Sequence, residues 1–175
     1  MPLWQIFHPV DAYTPEDRKT LSERITALYA SGNVPNFYVV IAFHPLPADS
    51  MYVGGEPRSN FVRFKVDQMA RTLPGEVLRA WWTRRIKEVI APFVTQRGLE
   101  SEVQIDEPPA DLWTINGIAP PPFGSIAEIK WFKENKVVPY SEDEKMPPTP
   151  KLADGMRFAN HHLDPAMVAR LFEEE

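Results

Sequence analysis

Two strand–helix–strand patterns follow one another along this chain, and that recurrence restricts the folds open to it. In the first, residues 3–8 set Leu3, Gln5 and Phe7 against Trp4, Ile6 and His8, the twofold period of a strand. Thr14 is placed to cap a helix, Pro15 suits its first position, and Glu16 and Asp17 complement the positive end of its dipole. Leu21, Ile25 and Leu28 form one apolar stripe, and Gly32 is set to end it. Residues 37–43 are the most apolar run of the chain and read as a central strand; residues 50–55 read as a short strand entering a glycine turn. The second pattern starts near Asn60. Residues 61–67 alternate Val62, Phe64 and Val66 with Arg63, Lys65 and Asp67. A helix over about 74–93 carries Leu78, Trp82, Ile86, Val89 and Phe93 on one side, with Pro92 bending or ending it, and residues 102–106 form the next strand.

Each unit predicts a right-handed crossover between parallel strands. The expected fold class is α+β: two fused β-α-β units, about 1–58 and 59–107, forming a four-stranded sheet with two helices on one face and short C-terminal helices. Residues 111–124 are too proline-rich for regular structure yet hold Trp113, Ile115, Ile118 and Phe123, so this loop should pack over something apolar. Ser125 and Glu128 make a capping box for a helix bearing Ile129 and Phe132. The domain is expected to run from 1 to 140, with the covering loop and helix at 108–140. Residues 141–175 are expected to be a linker and an amphipathic helix opened by Asp164-Pro165, with Met167, Val168, Leu171 and Phe172 on one side.

Composition excludes several classes of function. The 175 residues are enough for one core without staples. A net charge of -5 argues against nucleic acid or an acidic membrane as the partner. The chain has no cysteine, which removes disulfides, thiolate catalysis and zinc–thiolate sites. No apolar window is long enough to span a bilayer, and a soluble, cytoplasmic protein is expected. His161-His162-x-Asp164 lacks a third ligand cluster, and Asp164 has a capping role, so a metal is not expected.

Pro2 carries the sharpest chemical reading. A proline at the head of a strand can simply occupy a place where its missing N–H costs nothing. Alternatively Met1 is removed, the second residue being small enough to allow it. The chain then begins with a secondary amine held by a buried strand, able to act as general base or acid.

The stretches MPLWQIFHP (1–9), PNFYVVIAFHPLP (35–47), MYVGG (51–55), FKVDQMAR (64–71) and LWTINGIAPPPFGS (112–125), in that order, accompany Pro2 and the two β-α-β units. Together they give a chain that resembles the tautomerase superfamily. The resemblance is to the branch with fused units that includes cis-3-chloroacrylic acid dehalogenase and its fungal, oxalocrotonate tautomerase-like relatives. It covers about residues 1–140.

The resemblance implies a homotrimer with sheets facing inward, a pocket at each Pro2, and cofactor-free proton movement on α-keto acids, enols and unsaturated carboxylates. It places Arg71 where that branch binds the substrate carboxylate, a task suited to a planar guanidinium. The branch has a pair of arginines there, whereas Arg71 stands alone; Arg63 is either a second or a solvated face residue. Tyr29 stands where the branch has a substrate-binding histidine, able to hydrogen-bond a carboxylate or to pack. Trp113 lines the pocket or anchors its loop, and Asn116 offers a hydrogen-bonding group. Ile115, and Gln104 or Ile105, stand where the branch has its water-activating glutamate and tyrosine, and neither can activate water. The expected function is therefore a tautomerase or isomerase using Pro2 and Arg71. The alternatives are a hydratase, dehalogenase or decarboxylase on a small unsaturated acid, and a non-catalytic trimeric scaffold.

Overall fold

Pro2–Pro9 forms strand β1, whose residues are alternately buried and half-buried along its whole length. The computed structural model describes residues 1–148, so the expected helix opened by Asp164 lies outside the described residues. Helix α1 (Pro15–Ala30) follows β1. Thr14 Oγ1 accepts from the Asp17 N–H while the Asp17 carboxylate accepts from the Thr14 N–H, so each side chain satisfies a backbone donor left over at the helix start. Strand β2 (Val40–Leu46) returns parallel to β1. A two-residue hairpin, β3 (Tyr52–Val53) and β4 (Glu56–Pro57), stands apart from the main sheet. The second unit is β5 (Phe61–Gln68), α2 (Gly75–Ile90) and β6 (Glu100–Asp106), with β6 parallel to β5. Pro92 stands in a short 3-10 turn directly after α2, ending the α-helix as expected.

The four-stranded sheet has the order β2-β1-β5-β6, with β1 and β5 antiparallel at its centre. This corrects one expectation. The apolar run at 37–43 is not a central strand: Asn36–Tyr38 is a 3-10 turn and β2 is an edge, with Val40 39 % exposed. A long apolar run signals burial, and the fully buried Tyr38 lies before the strand starts.

The described residues divide into two compact units: Met1–Thr72 with Trp82–Trp113, and Leu73–Trp81 with the described residues from Thr114 onward. In the first, Trp4, Ile6, Val62, Phe64 and Val66 of the central strands are fully buried on one sheet face together with Leu21, Ile25 and Ile86 of the helices. Each such side chain contributes roughly 1.5–3 kcal/mol by leaving water. The opposite face carries Leu3, Gln5 and Phe7, with Phe7 stacked on His44 at 4.6 Å between ring centroids. Beside them runs a charged ladder: Arg63 pairs with Glu102, and Lys65 pairs with Asp67 and Asp106.

In the second unit, helix α3 (Ile126–Glu134) is capped by Ser125, whose Oγ accepts from the Glu128 N–H at 3.1 Å. The Glu128 carboxylate accepts not from Ser125 but from the Gly124 N–H at 2.7 Å, one residue further back than a standard capping box. Trp131 is fully buried and its indole N–H donates to Val138 O at 2.6 Å. The Ile126 N–H, an unpaired donor at the helix start, is met by Met146 O at 3.0 Å, so the first residues of the expected linker are tied down.

His8, at the end of β1, is fully buried. Its Nδ1 lies 2.7 Å from Pro9 O, which only accepts, so Nδ1 carries the proton of the neutral ring. Nε2 is buried with no hydrogen-bond partner among the described residues. Burial lowers the pKa of His8 below its ordinary 6.5; Arg18 and His44 push the same way and the Pro9 carbonyl opposes. The unfolded chain therefore takes up this proton first as pH falls. The His8 contribution is fully present above pH 6.5 and is lost as pH falls through the lower folded-state value. We expect Tm to drop between pH 7.5 and 5, and His8→Gln to show a shallower slope over that interval by calorimetry.

Candidate active site

Pro2 is buried at the head of β1 with its Cα opposite that of Gln68, the last residue of β5. The Met69 N–H donates to Met1 O at 3.2 Å, fastening the N-terminus to the far end of β5. The chain then turns, and three residues beyond Gln68 comes Arg71, half-buried, its Nη1 donating to Ala70 O at 2.8 Å.

A buried series of hydrogen bonds runs through this corner. The Trp4 indole N–H donates to Tyr29 Oη at 3.1 Å, the Tyr29 hydroxyl donates to Gln68 Oε1 at 3.4 Å, and Gln68 Nε2 donates to Arg71 O at 3.3 Å. The head of the series can only donate and its tail can only accept, so the direction of every bond between them is fixed. Burial pushes the Tyr29 hydroxyl far above its ordinary pKa, which keeps it protonated and able to donate. The Tyr29 ring meets Trp4 and Trp82 edge to face, at 6.5 and 5.1 Å between centroids.

Pro2, Tyr29 and Arg71 thus converge around Gln68. Tyr29 is 5 % exposed, with its hydroxyl bonded to Trp4 and Gln68. Arg63 does not join them. It sits opposite Phe7, five residues along β5 from Gln68 and so about 17 Å away at a strand's rise, and it is held by Glu102 and Gln104. Strand alternation puts Arg63 on the sheet's other face, where β6 supplies its partners, as a solvated face residue would stand. Trp113 is 7 % exposed and meets the Tyr38 ring edge to face at 4.9 Å.

Asn116 has a local explanation. Ile115 and Ile118 exchange two 2.9 Å backbone hydrogen bonds around Asn116-Gly117, whose φ values are 53° and 77°. That is a type I′ turn, for which Asn-Gly is the preferred pair. Gln68 went unremarked in the sequence although a signal existed. It continues the alternation of Val62, Phe64 and Val66, so a polar amide falls on a buried face.

Among the described residues no group of three metal-ligating side chains occurs, and no helix is long and apolar enough to cross a membrane.

The sheet of two β-α-β units, opened by a buried proline strand, defines the tautomerase-type fold. The family model described as "Putative oxalocrotonate tautomerase enzyme" matches residues 1–136, and the chain belongs to that family, within the tautomerase superfamily. RhCC from Rhodococcus jostii RHA1 is similar at 45 % identity, over 79 % of this chain and 99 % of its own, with a TM-score of 0.77. A probable enzyme from the thermophilic fungus Aspergillus fumigatus is 37 % identical over 80 % of this chain and 98 % of its own, with a TM-score of 0.76. N1, a member of the cis-3-chloroacrylic acid dehalogenase family, shares the fold at 19 % identity and a TM-score of 0.60, over 82 % of this chain and 96 % of its own. No curated protein matches the chain.

Proposed function

We propose that this protein is a cofactor-independent tautomerase or isomerase that moves a proton on an enol, keto or unsaturated carboxylate substrate. Pro2, freed by removal of Met1, is its general base or acid, and Arg71 holds the substrate carboxylate. The observation that carries the reading is the burial of Pro2 at the head of β1, directly across from the end of the strand that leads into Arg71. An ordinary α-amino group has a pKa of about 7.7–8.0. Burial disfavours the charged form, so a buried secondary amine is available as a base near neutrality. Trp113 is part of the same reading as a wall of the pocket. Family membership supports this class of chemistry.

With Met1 in place the Pro2 nitrogen is an amide without a basic lone pair, so processing is the deciding condition. The test is the intact mass of protein from its native host, with an assay of phenylpyruvate enol ketonisation. Processed protein is expected to turn the enol over, and protein with an uncleaved extension before Pro2 is expected not to. Equal activity of the two forms would overturn the reading.

A homotrimer belongs to the same proposal. The sheet face opposite the helices presents Leu3, Gln5 and Phe7, half-buried within one chain, and association of three such faces would cover them.

A further inference from the structure

We propose that Gln68 is a positioning residue for carboxylate binding, fixing the corner that carries Arg71. This rests on the reading of Arg71 given above. Three observations lead to it. Gln68 is 3 % exposed, and a buried amide is held there only by its hydrogen bonds, since leaving them unmade costs more than an apolar side chain of the same shape. Its amide has one possible orientation, with Oε1 taking the Tyr29 proton and Nε2 giving a proton to Arg71 O. It lies across from Pro2 and thus refers the position of Arg71 to the head of β1 through Trp4 and Tyr29.

Processing of Met1 makes this tie more consequential. In the unprocessed chain the corner is also fastened by the bond from the Met69 N–H to Met1 O. Removing Met1 abolishes that bond and leaves the bond from Gln68 to Arg71 O in place. The mature corner then keeps this side-chain tie beside the β1–β5 ladder that ends at Pro2 and Gln68, with one backbone bond fewer. The Arg71 guanidinium folds back on the same corner through Ala70 O, so displacement of the Arg71 backbone moves the group that meets the carboxylate.

The experiment compares processed wild type, Gln68→Met and Gln68→Glu. Methionine keeps the length of the side chain and loses both polar ties. Glutamate keeps the acceptor for Tyr29 and loses the donor to Arg71 O. Two measurements are made. The first is kcat/KM for the enol of phenylpyruvate relative to the enol of its methyl ester, which lacks the carboxylate. The second is the dissociation constant of 3-phenylpropionate, an unreactive carboxylate, by calorimetry. We expect the preference for carboxylate over ester to fall about tenfold in both variants, chiefly through KM. The probe should bind about tenfold more weakly, the scale of one lost hydrogen bond.

Parallel loss on acid and ester would mean a merely structural role and would overturn the proposal, as would unchanged probe binding or a wild type that does not bind the probe. The binding measurement also separates the two readings. If wild type binds the probe and turns over no enol, the isomerase proposal fails, while the Gln68 proposal is still decided by the variants' affinities. Should Gln68→Met fail to fold, Gln68→Glu and its affinity decide.

Discussion

Alanine in place of Pro2 is expected to lower kcat for enol ketonisation by about 10²- to 10⁴-fold, the usual contribution of a positioned general base. The sheet should survive, because proline gives no N–H to the ladder and the place it fills is the first of the strand. What the substitution removes is a secondary amine whose ring fixes its direction; what replaces it is a primary amine free to rotate and more easily hydrated. The acid limb of the pH–rate profile should sit below the ordinary α-amino range of about 7.7–8.0 in wild type, because burial lowers the pKa of an amine. In the variant the residual activity should follow the primary amine instead, with the limb moved toward the ordinary α-amino range. The measurement is stopped-flow absorbance of the enol from pH 5 to 9, with a thermal melt to show the variant folded. Undiminished turnover in Pro2→Ala would remove the amine from the mechanism.

The second large effect is expected at Arg71. A bidentate guanidinium–carboxylate contact consists of two charge-assisted hydrogen bonds worth about 1.5–3 kcal/mol each. Arg71→Ala should therefore raise KM for carboxylate-bearing enols by at least about 10²-fold, with a far smaller effect on ester analogues. Arg71→Lys should recover only part of the loss, since a point charge on a flexible stem cannot reproduce the planar fork. Equal loss on acid and ester would show that Arg71 supports the corner and does not meet the substrate. Steady-state kinetics on the paired substrates decides between the two.

The parts of this architecture legible in the sequence were those governed by local rules. Alternation in β1 and β5 gave the buried face residue by residue, down to His8 beneath the helices. Thr14 and Pro92 marked a helix start and a helix end through the chemistry of unpaired backbone groups and a missing N–H. The less legible parts depended on which strands become neighbours. Apolarity at 37–43 does not say whether the strand lies at the centre or the edge, because that follows from β1 and β5 pairing antiparallel. Arg63 illustrates the same gap: its separation from Pro2 and its partners on β6 are facts of register, which one chain's letters do not state. Asn116 is a different case: Asn-Gly between two isoleucines is a turn signal in its own right, and it accounts for the backbone there. Gln68 was overlooked because a buried amide shows as an exception to an apolar face, and its purpose appears only when Tyr29 and Arg71 are seen on either side of it.

The antiparallel pairing of β1 and β5 makes the two ends of the sheet chemically unequal. Each unit opens on a strand, but the strands run in opposite directions, so one opening lies at Pro2 and the other, at Phe61, lies at the far end. The amine proposed at Pro2 belongs to the first opening, whereas Phe61 has a peptide bond on both sides. On that proposal the amine chemistry falls at one opening for every two units. In the proposed homotrimer, the corners at Phe61 would stand without that amine.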